Sequence, residues 1–173
     1  MYIAIAIVVL LAAFLAYAAT RPDSFRVERT INIQAPSDKI YRLIEDFHGW
    51  RSWSPWENID PGLQRTYNGP TSGRGAIYEW EGKKAGKGRM EIMNVSPDWH
   101  VLIKLDFIKP FEGHNTAEFT LEPSSGVTKV TWAMYGPNTF MGKVMSSFVS
   151  MDKFLGKEFD KGLANLKSAA EKP

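Results

Sequence analysis

In 173 residues, 21 Lys and Arg stand against 19 Asp and Glu, and the net charge of +2 lacks the basic excess that a nucleic-acid binder needs. Cysteine is absent, which excludes disulfides, thiol catalysis and cysteine-ligated metals. All six Trp fall between residues 50 and 132, a concentration that marks the middle of the chain for attention.

The chain opens on an uncharged, almost wholly apolar run from Tyr2 to Ala19. As a helix of about 1.5 Å per residue it measures roughly 27 Å, close to the ~30 Å hydrocarbon core of a bilayer. Its Ile, Val, Leu and Phe residues each favour insertion by roughly 0.3–0.6 kcal/mol, and no charge opposes them. Ala16-Tyr17-Ala18 fits a signal-peptide cleavage site, but no basic segment precedes the run and it exceeds the usual length of such signals. The expectation is a retained anchor over residues 1–20. Arg21, Arg26 and Arg29 follow it, so the positive-inside bias puts the following domain on the cytoplasmic side.

From Phe25 to Ile33 apolar and polar residues alternate, which predicts a half-buried strand. Ala35-Pro36 stops it, and Ser37 is the expected N-cap of a helix through Ile40, Leu43 and Ile44. After a Trp-rich connection, strands are predicted near 63–68, 75–81, 88–95, 100–108, 115–121 and 128–135, separated by Gly and Pro clusters. Seven strands at hairpin spacing imply an antiparallel sheet with one wet and one buried face. From Thr139 the period lengthens: Met141, Val144, Phe148, Met151, Leu155, Phe159, Leu163 and Leu166 recur every three or four residues. They predict an amphipathic helix of about thirty residues, with a candidate break near Ser150.

This α+β order, a helix-grip arrangement, resembles the START-like (SRPBCC) superfamily, particularly its bacterial polyketide cyclase/dehydrase and lipid-transport branch. The resemblance rests on Ile31 to Pro36, Trp50, Trp53-Ser54-Pro55-Trp56, Gly73 and Gly75, Tyr78 to Gly82, Pro110-Phe111, Val130-Thr131-Trp132, and Gly156, Phe159, Gly162-Leu163 and Leu166. It spans residues 25–171 and implies a curved sheet wrapped on the C-terminal helix; with the apolar run before it, the expectation is a single-pass protein of a bacterial-type inner membrane. It also implies a cavity between sheet and helix. Fold-level likeness is poor ground for function, since that superfamily includes carriers, cyclases and chaperone activators.

Trp50, Trp53 and Trp56 recur every third residue, and their rings form either an aromatic wall of that cavity or a plug that fills one end. Trp53 and Trp56 are the expected wall members. Strand register adds Tyr78, Trp80, Phe107, Trp132 and Met134, and the helix adds Met145 and Phe148; together these nine are the candidate ligand-binding residues. Met90, Ile92, Leu105 and Phe119 share the same faces.

Catalytic signals are weak. His48, His100 and His114 are scattered, without metal-ligand spacing, so no metal or cofactor is implied. Glu57, beside the Trp cluster, is the best lone carboxylate for acid–base work, although a solvated loop residue is its ordinary reading. Arg29 falls on the apolar register of its strand and should pair with a carboxylate or snorkel at the strand end. Lys83, Lys84, Lys87 and Arg89 crowd one hairpin tip, which reads as a solvated turn or an anionic-membrane contact. The expectation is a membrane-tethered module, held by residues 2–19, that binds a lipid or other small hydrophobic molecule without catalysis. The alternatives are a polyketide cyclase/dehydratase-type enzyme and a protein-interaction module with a solid core.

Overall fold

The computed structural model describes residues 2–147 and 150–172. The apolar run is one helix, α1 (Tyr2–Ala19), long and apolar enough to cross a membrane; nearly all of it is exposed, with Ala18 buried. The link Thr20–Asp23 then leads directly into the sheet.

Seven strands follow: β1 (Ser24–Ile33), β2 (Gln64–Asn68), β3 (Ile77–Gly82), β4 (Gly86–Ser96), β5 (His100–Lys109), β6 (Gly113–Ser124) and β7 (Val127–Pro137). They form one sheet in the order β1-β7-β6-β5-β4-β3-β2, and every pair is antiparallel. The expected architecture therefore holds. Two-residue alternation dictates it, because each strand has one apolar face to bury. The register aligns those faces into rows. Val27 pairs with Met134 and Met134 with Ala117, while Arg29 pairs with Trp132 and Trp132 with Phe119. The buried rows continue through Ile103, Val101, Ile92, Met90 and Tyr78.

Between β1 and β2 lie helix α2 (Ser37–Glu45) and two 3₁₀ turns, Gly49–Ser52 and Pro55–Asn58. The N-cap of α2 is Pro36, not Ser37, and makes no side-chain capping bond. Proline fixes φ near −65° and carries no N–H, so it suits the extended residue that leads into the helix three positions after β1 ends. The last carbonyls of a helix lack partners within it. Here the Trp50 indole N–H donates to the Ile44 carbonyl (2.8 Å) and the Trp53 indole N–H to the Leu43 carbonyl (2.9 Å). Two tryptophans thus cap α2 while their rings fill the core.

The C-terminal helix is two: α3 (Phe140–Ser146) and α4 (Met151–Ala170). The break falls at Ser150, whose hydroxyl accepts from the Lys153 N–H at 3.4 Å and caps α4. Helix α3 packs against α1. Helix α4 lies over β1 and runs in the same direction. Its first three turns meet mid-strand, where Arg29 pairs with Asp152 at 2.9 Å and, two turns on, with Asp160 at 3.6 Å. Its last turn lies beside the strand's end, where the Gln34 N–H donates to Glu171 at 2.7 Å and Lys167 Nζ donates to the Asn32 carbonyl. The inward Arg29 is thus paired, as its register required. Leu155, Phe159, Leu163 and Leu166 bury the apolar stripe of α4.

Candidate functional site

The sheet, the Trp-rich turns and α4 enclose a cavity of about 210 Å³. That is more than ten times the ~10–15 Å³ that one water requires, and just under the ~300 Å³ at which small-molecule sites begin. The sheet supplies Tyr78, Trp80, Met90, Leu105, Phe107, Ala117, Trp132 and Met134. The turns supply Trp50, Ser54, Trp56 and Glu57, and α4 closes the space with Phe154, Leu155 and Phe159. Ile59 and Phe154 line it while remaining exposed, so they mark its mouth.

The wall is organised by aromatic contacts. Trp132 stacks on Phe159 of α4 with centroids 4.3 Å apart and planes 3° from parallel. Trp56 meets both rings edge-on, at 5.4 and 5.9 Å. Such offset and edge-to-face pairs each add about 0.5–1.5 kcal/mol beyond their buried area. The stack needs Gly162: a Cβ there would lie 2.7 Å from the Trp132 ring and 3.0 Å from Pro55. Farther along the sheet, Trp80 meets Phe107 edge-on at 6.0 Å, and its indole N–H donates to the Ala85 carbonyl.

One polar cluster interrupts the apolar lining. Glu57 is buried, 6% exposed. The Tyr78 hydroxyl donates to its Oε1 at 2.7 Å, Arg65 Nε donates to its Oε2 at 2.6 Å, and Arg65 Nη2 donates to its backbone carbonyl. The reading of Glu57 as a solvated loop residue is therefore corrected: the turn Pro55–Asn58 folds it inward against β2 and β3. Burial, reinforced by the adjacent Glu57 carboxylate, pushes the Tyr78 phenol well above its usual range, so it stays a neutral donor. The buried Trp132 indole N–H has no hydrogen-bond partner.

Of the nine expected site residues, Trp56, Tyr78, Trp80, Phe107, Trp132 and Met134 converge on this cavity. Trp53 lies behind it instead, 1% exposed, wedged between Trp50 (4.7 Å) and Trp132 (5.5 Å) and tied to α2. The aromatic triplet thus divides: Trp53 is the plug, while Trp50 and Trp56 face the space. Met145 lies on the α3 backbone, its side chain outside what is described, and Phe148 lies outside the described residues. Leu155 and Phe159 belong to the helical stripe that the sequence displays, and only their packing partners were hidden. Ile59 and Ala85 come from irregular segments that carry no periodic signal, and Leu63, within the strand predicted near 63–68, lies just before β2.

Each histidine has an acidic neighbour that spacing did not reveal. His48 meets Asp46 (2.8 Å), His100 meets Glu118 across β5 and β6 (2.9 Å), and His114 meets Asp106 likewise (2.7 Å). None of the three lines the cavity. Among the described residues, no group of His, Asp and Glu is arranged to hold a metal ion.

A family model described as polyketide cyclase/dehydrase and lipid transport matches residues 24–171. Among solved structures, CV1439 from Chromobacterium violaceum is similar with a TM-score of 0.60 and 15% identity, covering 88% of this chain and 100% of its own. The di-domain aromatase/cyclase BexL from the BE-7585A biosynthetic pathway gives 0.64 and 16%, over 91% of this chain and 54% of its own length. The Aha1 dimer from Colwellia psychrerythraea gives 0.54 and 18%, over 85% and 94%. At these identities the likeness shows the fold alone. No curated protein sequence matches the chain.

Proposed function

Because this chain belongs to the family of polyketide cyclases/dehydrases and lipid-transport proteins, we propose that it holds a lipid or other small hydrophobic molecule in the sheet–helix cavity without transforming it. In this reading α1 tethers the domain to a membrane, and the positive-inside bias of Arg21, Arg26 and Arg29 supports a cytoplasmic orientation. The observation that carries the proposal is the cavity itself. Its walls are overwhelmingly aromatic and aliphatic, and a well-formed apolar pocket with a few convergent polar groups is how small-molecule sites are built. A space left at the centre of an otherwise close-packed core argues against the solid-core interaction module. The guest is an apolar body with at most one polar end, which would lie toward Ser54, Glu57 and Tyr78.

One observation favours a second reading. Glu57 and Tyr78 are an acid–base-capable pair within the cavity wall, as a cyclase or dehydratase would require. Both carboxylate oxygens of Glu57 are already engaged, however, by Tyr78 and Arg65, which suits a support for the wall better than a proton shuttle.

Ala117→Phe tests the binding reading. It puts a phenyl ring into the cavity from β6, so an apolar fluorescent probe titrated into the full chain in lipid nanodiscs should bind at least about tenfold more weakly, a loss of ~1.4 kcal/mol. Thermal stability should change little. A solid core would instead be overpacked and lose about 1–3 kcal/mol, and the probe would bind neither protein.

A further inference from the structure

The antiparallel topology gathers one set of strand ends at the exit of α1. β1 begins there, and so the ends of β3, β5 and β7 and the starts of β2, β4 and β6 lie on that side of the sheet. The link Thr20–Asp23 is short, and it is not slack. The Asn138 N–H donates to the Asp23 carbonyl (2.7 Å), Asn138 Nδ2 donates to the Pro22 carbonyl (3.0 Å), Lys143 of α3 pairs with Asp23, and α3 packs on α1. Helix α1 is therefore fixed to this end of the sheet.

Three further features share that end. The first is exposed apolar surface: Ile108 and Phe111 by the β5–β6 connection, Phe140 at the start of α3, and Ile59 and Phe154 at the cavity mouth. Among the described residues outside α1, only Met93 and Trp99 of the exposed large apolar side chains lie toward the other end. The second is positive charge. The β3–β4 tip carries Lys83, Lys84 and Lys87 with no acidic residue among 82–88; the buried Asp60 accepts from the Lys84 N–H, Lys87 reaches Glu81, and Glu112 follows Phe111, so lysines still outnumber the exposed carboxylates there. The third is the opening of the cavity: its lining includes Leu63 just before β2, Ala85 just before β4 and Phe107 near the end of β5, and Ile59 and Phe154 are exposed at its mouth.

We propose that this end of the domain lies against the leaflet in which α1 is embedded, so that the cavity mouth opens onto the membrane and its guest passes directly between bilayer and cavity. The proposal rests on the reading of α1 as an anchor and adds the orientation of the domain upon it. An apolar rim interleaved with lysines suits an anionic bilayer surface, where the rings enter the interface and the charges meet the headgroups.

The absence of cysteine makes single labels clean. Phe111→Cys on the proposed face and Ser124→Cys at the opposite end of the sheet would each carry a bimane label in the full chain. The proteins would be reconstituted into vesicles of phosphatidylcholine and phosphatidylglycerol with brominated acyl chains. The label at 111 should be quenched at least about twofold more than that at 124, since a depth of roughly 5–10 Å brings it to the chains. Lys83→Glu with Lys84→Glu should reduce that difference in the anionic vesicles. Full chain that alkaline carbonate strips from the vesicles would overturn the anchor reading itself. Chain that stays embedded with equal quenching at both positions would overturn only the orientation proposed here, as would a label at 111 shielded from water yet unquenched by lipid, which points to a protein partner.

Discussion

Two glycines of α4 face the sheet, and the same substitution at each should have different consequences. A Cβ on Gly156 would overlap the Arg29 guanidinium, the mobile end of a long side chain. Gly→Ala within a helix gains about 1 kcal/mol. Displacing Arg29 forfeits its ion pair with Asp152, but that carboxylate is 59% exposed, so solvent screening keeps the loss small enough for the helical gain to offset it. Gly156→Ala should therefore be near neutral. At Gly162 the new methyl would sit 2.7 Å from Trp132 and 3.0 Å from Pro55, where carbon atoms prefer about 3.5–4.0 Å. Both neighbours are rigid rings, and Trp132 is locked between Phe159 and Phe119. Overpacking at the upper end of its range, about 3 kcal/mol, less the helical gain of ~1 kcal/mol, leaves a net loss of about 2 kcal/mol. Thermal unfolding of the full chain in detergent should show Gly162→Ala melting roughly 4–8 °C lower and Gly156→Ala within about 3 °C of the parent. Equal shifts for the two, or a stabilised Gly162→Ala, would refute the claim that ring contact fixes α4 upon the cavity wall.

Glu57→Leu strands the Arg65 guanidinium and the Tyr78 hydroxyl, and breaking such a buried pair should lower stability by about 3–5 kcal/mol. Glu57→Gln, which keeps the shape and some hydrogen bonding, should lose only about 1–2 kcal/mol, and denaturation of the two variants side by side checks the order. The hydrogen bond with Asp106 raises the His114 imidazole above its ordinary 6.5, so its stabilising contribution is complete below that pH and disappears as pH rises through the folded value. An NMR titration of the His114 ring should find a midpoint above 6.5 that Asp106→Asn returns toward it.

The strands and the two helical periods are legible in the sequence because they express one-sided burial, which repeats at 2.0 or 3.6 residues. The same logic placed Tyr78, Trp80, Phe107, Trp132 and Met134, whose rows are set by register. It could not separate Trp53 from Trp50 and Trp56. All three sit on irregular turns, and Trp53 is kept from the cavity by the rings of Trp50 and Trp132 on either side of it, a tertiary packing that no local pattern displays. Glu57 was hidden for a similar reason, since its burial depends on Arg65 and Tyr78 arriving from β2 and β3. Ser150 was visible as a break because a serine before an apolar stripe is a cap in its own right. Ile59 and Phe154, exposed at the mouth, obey no burial pattern.

The central claim is that the cavity holds an apolar guest. Native mass spectrometry of the full chain, released from native nanodiscs formed without detergent, tests it most directly. The account predicts a stoichiometric adduct of a lipid or similar apolar molecule on the parent protein, lost or strongly reduced in Ala117→Phe. A bare parent mass, or an adduct of equal abundance on the cavity-filled variant, would contradict it.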